Sequence, residues 1–235
     1  MSGTNTYSRH WFDTFLGRID PAIVDREVAF LRRQLPPPGA RVLDLCCGPG
    51  RHTKPMSDAG YRVIGIDLDT PSLGTARAAD RRALFVRADM RRTPLADESV
   101  DAVICMWQSF GHFDARGNAS ALAEIARVLL PGGVVILDLY RREFYTRSVG
   151  ERDIVRDGAR IHERRVMSAD RLHVRLEYES SGFAEEFEWQ LYTPTEIAAV
   201  AAHAGLQTLG SYAEFDESIG SSPDRARMQI VFRKS

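Results

Sequence analysis

The sequence predicts an α/β fold: a doubly wound, mostly parallel seven-stranded sheet with an antiparallel β insert in its C-terminal half. Three observations predict it. Between Arg41 and Leu139, short apolar runs alternate with helical segments, the pattern of a parallel sheet whose strands are buried on both faces. After about residue 150 the texture becomes strict alternation, with Leu172, Val174, Leu176 and Tyr178 facing one way and His173, Arg175, Glu177 and Glu179 the other. That pattern belongs to half-solvated antiparallel strands. A helix and two apolar strands then return at the end of the chain.

Each element has a local cause. Asp20-Pro21 opens a helix as N-cap and first-turn proline, with Ile23, Val24, Glu27, Val28, Phe30, Leu31 and Leu35 along one stripe, and Pro36-Pro37-Pro38-Gly39 ends it. Arg41 to Cys46 is a first strand that stops at Gly48 and Gly50, followed by a helix to Gly60. Tyr61 to Asp67, Leu84 to Ala88 and Val100 to Trp107 repeat the strand pattern, with a helix over 71–80 between the first two. Asn118 is expected to cap a helix carrying Leu122, Ile125, Ala126, Leu129 and Leu130, and Pro131-Gly132-Gly133 turns the chain into a fifth strand, Val134 to Leu139. Ile161 to Met167, Leu172 to Glu179 and Phe183 to Leu191 read as a three-stranded insert. Thr193-Pro194-Thr195-Glu196 is a capping box for a last helix ending at Gly205, before strands at 206–215 and 227–232. Four regions follow: an N-terminal helical lid (1–37), a ligand-binding core (38–150), the insert (151–192) and a closing segment (193–235) that completes the sheet.

Composition bounds the function. The 235 residues are 44% hydrophobic and 27% charged with a formal net charge of -1, which suits a globular chain and disfavours a nucleic acid partner held by cationic excess. No apolar run reaches membrane-spanning length and the start MSGTNTYSRHWFD lacks a targeting pattern, so a cytoplasmic protein without membrane contact is expected. Lys54 and Lys234 are the only lysines, and neither the three cysteines nor the six histidines have metal-ligand spacing, so no metal is expected.

Open parallel sheets bind ligands beyond the carboxyl ends of their strands, which directs attention to the loops there. Cys46-Cys47-Gly48-Pro49-Gly50 follows the first strand, where glycines allow close backbone approach. Asp67 ends the second strand, placed to accept both hydroxyls of a ribose, while Asp69 before Thr70-Pro71 suits a helix cap. Asp89 ends the third strand, in reach of an adenine amino group. A nucleoside ligand is expected. The dinucleotide triplet GxGxxG and the phosphate loop GxxxxGK[ST] are both absent.

Together, Val42 to His52, Gly65-Ile66-Asp67, Ala88-Asp89-Met90 and Leu129 to Gly133 resemble the class I S-adenosylmethionine-dependent methyltransferases, over about residues 38–140. The resemblance extends more faintly to Ser109-Phe110-Gly111-His112-Phe113 and Leu191-Tyr192-Thr193 of a small-molecule subgroup. It implies a Rossmann-like core, S-adenosyl-L-methionine as cofactor and a small-molecule methyl acceptor. It further implies that the backbone of Cys46, Cys47 and Gly48 faces the methionine part, with Gly50 also at the cofactor, that Asp67 holds the ribose, and that Leu68 covers the adenine. Asp89 and Met90 read the adenine edge, and Met106 lies beside the methionine with Trp107. Cys46 departs from the glycine usual in the family.

A general base is needed only where the acceptor arrives protonated; His112 and Tyr140, after strands four and five, are the candidate catalytic residues. The aromatic Tyr7, His10, Trp11, Phe12 and Phe15 are expected to close over cofactor or acceptor, with Trp11 at the cofactor. Arg141-Arg142 suits an acidic acceptor or a solvated face. The function expected is methyl transfer to nitrogen or oxygen of a small molecule. RNA or protein methylation and an NAD-dependent or non-catalytic nucleotide-binding role are the alternatives, and the acceptor, a base and a homo-oligomer stay open. Cys105-Met106-Trp107-Gln108-Ser109 lacks the Asn/Asp-Pro-Pro-Tyr/Phe tetrad of nucleic-acid amino-methylating enzymes.

Overall fold

The computed structural model describes residues 5, 7–17, 19–156 and 158–235. Residues 1–4, 6 and 18 of the expected lid lie outside the described residues. The elements are α1 (Arg9–Trp11), continuing into a wider turn over Phe12–Leu16, then α2 (Pro21–Gln34), β1 (Arg41–Leu45), α3 (Thr53–Asp58), β2 (Arg62–Asp67), α4 (Thr70–Ala79) and β3 (Leu84–Arg87). Next come β4 (Val100–Cys105), α5 (Ala115–Val128), β5 (Leu129–Tyr140), α6 (Arg142–Arg147), β6 (Gly150–Arg156), β7 (Ala159–Ser168), β8 (Arg171–Tyr178) and β9 (Ala184–Gln190). The chain closes with α7 (Pro194–His203), β10 (Leu206–Ala213), β11 (Asp216–Gly220) and β12 (Arg227–Lys234).

One sheet runs β11-β10-β12-β5-β4-β1-β2-β3 and a second runs β6-β7-β8-β9. From β1 the chain winds outward through β2 and β3, then crosses back to β4 and β5, so strand order reverses between β1 and β4. That reversal opens the crevice where such sheets bind ligands. Alternate residues of the central strands feed two cores: Leu43, Leu45, Val103 and Cys105 pack under α5 and α7, while Val42, Ala102 and Ile104 pack against Phe30 and Leu31 of α2. No helix among the described residues is long and apolar enough to cross a membrane.

Several boundaries differ from the sequence expectation. The main sheet has eight strands because residues 206–220 fold into a hairpin, with Glu214 and Phe215 at φ 57 and 60 in its turn. The insert has four strands because Gly150–Arg156 pairs with β7. As an edge strand exposed along nearly its whole length, it carries no apolar alternation to read. Asp114, and not Asn118, caps α5, accepting the Gly117 N–H at 2.7 Å. Asn118 is buried, its amide bonded to Phe113 and Gln190. The caps at Asp20, Asp69 and the Thr193–Glu196 box stand where the sequence puts them.

Candidate active site

The ends of β1, β2, β3 and β4 open into a cavity of about 590 Å³ that is also lined by Asn5, Tyr7, Trp11, Phe12 and Leu16 of the N-terminal segment. Its size falls within the roughly 300–1,000 Å³ of pockets that enclose small molecules. Cys46, Cys47, Gly48, Asp67, Leu68, Asp89, Met90, Met106, Trp11 and His112 all line it. Gly50 does not: a Cβ there would lie 3.0 Å from Ala76 Cβ, so its role is close packing of the loop on α4. Tyr140 is also outside the lining, its ring 4.7 Å from Tyr145 and 5.9 Å from Trp189, so it walls the neighbouring aromatic cluster. The base role considered for it has no geometric support.

The glycine loop is shaped around Asp67. Its Oδ2 accepts the Gly48 N–H at 2.7 Å and its Oδ1 the Asp69 N–H at 2.9 Å. Each oxygen keeps a second lone pair for a ligand hydroxyl. Burial pushes the Asp67 carboxyl up, against the pull of those two backbone donors. Gly48 sits at φ +52, a conformation glycine takes without penalty. Cys46 adopts φ 61 with a side chain, and its thiol rests 3.9 Å from the Met90 sulfur. Beside the Cys105 thiol and buried, the Cys46 thiol is pushed well up, and burial raises Cys47 as well. Both stay protonated, in keeping with a backbone role.

Asp89 is engaged by its own loop. Arg91 spans both carboxylate oxygens, with Nη2 at 2.6 Å from Oδ2 and Nε at 3.0 Å from Oδ1, and this guanidinium holds the carboxyl below the usual range. Arg91 also lies 4.0 Å over the Phe113 ring.

Beyond the strand ends, Tyr7 stacks on Phe187 with centroids 4.8 Å apart and packs 4.5 Å from Trp11. The segment thus bridges cavity and insert sheet. His112 lines the cavity with Nδ1 taken by the Asn5 amide at 2.8 Å, and burial lowers its pKa to about 4.

The sequence reading missed a buried charge cluster behind the cavity. Glu27 on α2 is fully buried and meets Arg51 and His52 at 2.7 Å and Trp107 Nε1 at 2.5 Å. Burial alone would raise this carboxyl, but His52, Arg51 and Arg227 hold it at about 2. The signal was present: an acidic residue in the apolar stripe of a helix. Arg141 is buried against Glu143 and Ser221, and Arg142 pairs with Glu196, so both guanidinium groups are engaged within the fold and lie outside the cavity lining.

A family described as a methyltransferase domain matches residues 42–133. An uncharacterised methyltransferase of Synechocystis sp. is 30% identical over 145 residues, covering 59% of this chain and 67% of that protein. The demethylmenaquinone methyltransferase of Renibacterium salmoninarum is 39% identical over 103 residues, covering 43% of this chain and 41% of the relative. The chain thus spans less than half the length of the first curated relatives it matches. A crystal structure of an S-adenosylmethionine-dependent methyltransferase from Clostridium acetobutylicum superposes with a TM-score of 0.81 at 17% identity, covering 96% of this chain and 97% of that one. That likeness is one of fold.

Proposed function

This chain belongs to the S-adenosylmethionine-dependent methyltransferases, and from that premise we propose that it transfers a methyl group from S-adenosyl-L-methionine to a nitrogen or oxygen of a small-molecule acceptor in the cytoplasm. The observation that carries the reading is the Asp67 carboxylate, oriented by the Gly48 and Asp69 N–H groups at the mouth of the strand-order reversal.

When bound, the cofactor supplies an electrophilic methyl on a sulfonium. The protein's contribution is position and dryness. Asp67 receives the ribose hydroxyls through its free lone pairs. Leu68 covers the adenine, and Asp89 and the Met90 amide read its edge, with Asp89 already steadied by Arg91. The backbone of Cys46 to Gly48, with Met106, borders the methionine part. Tyr7, Trp11 and Phe12 line the cavity and serve as its lid, while α2 packs in the core against the sheet; 38–150 is the cofactor-binding core, the insert at 151–192 backs the lid through Phe187 against Tyr7, and 193–235 completes the sheet. His112 faces the acceptor.

Calorimetric titration tests the reading. S-adenosylhomocysteine is expected to bind and NAD to fail; tight binding of NAD alone overturns it. A metabolite mixture incubated with methyl-labelled cofactor is expected to yield a labelled small product.

A further inference from the structure

We propose that Asn5 is a positioning residue that holds His112 as a neutral Nε2–H donor, and that the methyl acceptor is an apolar molecule of aromatic character whose nucleophilic oxygen arrives already ionised, as a carboxylate or an acidic phenol. This rests on the methyl-transfer reading and names the acceptor class for that site.

Asn5 Oδ1 accepts the Glu188 N–H at 2.9 Å, and Asn5 Nδ2 donates to the Glu188 carbonyl at 2.9 Å. Two bonds of opposite sense to one backbone residue of β9 fix which end of the amide is oxygen. The second hydrogen on Nδ2 then points to His112 Nδ1 at 2.8 Å. An amide nitrogen donates and does not accept, so Nδ1 is the unprotonated ring nitrogen and the neutral imidazole carries its proton on Nε2. No described residue hydrogen-bonds Nε2, and His112 lines the cavity. The ring nitrogen left for a bound molecule therefore donates a hydrogen bond and cannot take up a proton.

The groups around it have the same polarity. Burial raises the Tyr7 phenol far above its ordinary value, so it also stays a neutral donor. Among the described residues, the carboxylates lining the cavity are Asp44, Asp67, Asp69 and Asp89, all on or just after β1, β2 and β3, at the cofactor side. The acceptor side thus offers donors and aromatic surface from Tyr7, Trp11 and Phe12. Among the described residues it offers no carboxylate to pair with an ammonium and no free base to receive its proton. An ionised oxygen meets neither obstacle: its lone pair forms the new C–O bond, the C–S bond breaks with its electron pair going to sulfur, and the product is neutral with no proton to lose.

The test uses the intact ¹⁵N-labelled protein loaded with S-adenosylhomocysteine. Long-range proton–nitrogen spectra near neutral pH, with the His112 signals assigned by their loss in His112→Asn, are expected to show the Nε2–H tautomer; an Nδ1–H or imidazolium pattern overturns the proposal. Asn5→Asp replaces the donor by an acceptor and is expected to move the proton to Nδ1. An unchanged tautomer in that variant, with S-adenosylhomocysteine still bound as proof of folding, removes Asn5 from the role. Benzoate and benzylammonium are then titrated into the same complex. Benzoate is expected to bind at least about tenfold more tightly, the order of one hydrogen bond to a charged group, and to shift the Nε2 resonance. Preference for benzylammonium, or binding of neither probe, overturns the acceptor class. Failure of S-adenosylhomocysteine to bind at all would instead defeat the methyl-transfer reading.

Discussion

Glu27 Oε1 accepts the indole N–H of Trp107 at 2.5 Å, joining the helix before β1 to the loop after β4. Trp107 and Gln108 leave β4 with φ 56 and 55, backbone conformations that cost of order 1–2 kcal/mol each for residues with a side chain. Asp138 holds the same stretch from the other side, its carboxylate accepting the Trp107 N–H at 2.8 Å and its carbonyl the Gln108 N–H at 3.0 Å. Arg227 links Asp138 to the neighbourhood of Glu27. A strained cavity wall is thus sustained by buried acids and guanidinium groups.

Glu27→Ala leaves Arg51, His52, Trp107 and Arg227 facing a void. Removing one partner of a buried ion pair costs about 3–5 kcal/mol. We expect a loss of that size in urea unfolding, together with weaker binding of S-adenosylhomocysteine, since Arg51 and Trp107 line the cavity. A loss under about 0.5 kcal/mol, the level of an ordinary surface change, would show that the cluster carries no stability.

Asp67→Ala removes the acceptor of the Gly48 and Asp69 N–H groups along with the ribose contact. Calorimetry is expected to show cofactor affinity falling at least about tenfold, from the ~1.5–3 kcal/mol of hydrogen bonds to a charged group. An unchanged dissociation constant would remove Asp67 from the site.

At Cys46, φ 61 suits glycine. Cys46→Gly is expected to hold or raise the urea midpoint, and Cys46→Val to lower stability by about 2 kcal/mol, because a branched side chain fits that backbone worst. Equal midpoints for the two variants would contradict this account.

Acid should expose His112 and Glu27 in separate windows. Their folded pKa values of about 4 and about 2 lie below the ordinary 6.5 and 4.5, so the unfolded chain binds more protons between each pair of values. The stabilisation attached to each group is complete above the ordinary value and is lost as pH falls, for His112 between about 6.5 and 4 and for Glu27 between about 4.5 and 2. Urea unfolding of His112→Asn should lose less stability than the parent across the upper window. Parallel curves for the two proteins would place His112 in an ordinary solvated setting.

Gly65→Ala probes the packing beneath the cofactor loop. A Cβ there would lie 2.7 Å from Phe85 Cδ1 and 2.8 Å from Cys47 Sγ, and overpacking of this kind costs about 1–3 kcal/mol. A Tm equal to that of the parent would show that the loop yields freely.

The winding of the core, the caps at Asp20, Asp69 and Thr193, and the positions of Asp67 at the end of β2 and Asp89 just past β3 were legible from the residue pattern. These follow from short-range chemistry: buried parallel strands are apolar throughout, caps use side chains a few residues from the amides they bind, and loops after strands meet at one edge of a parallel sheet. Tertiary structure alone decided that Glu27 is the hub of a buried cluster, that Asp138 and Gln108 brace the β4 exit, and that Asn5 sets the His112 proton. In each case the partners stand dozens of residues apart, 80 for Glu27 and Trp107 and 107 for Asn5 and His112. No local pattern encodes such a contact. The eighth strand and the fourth insert strand escaped for a related reason, because an edge strand facing solvent has no buried face to write alternation into its sequence.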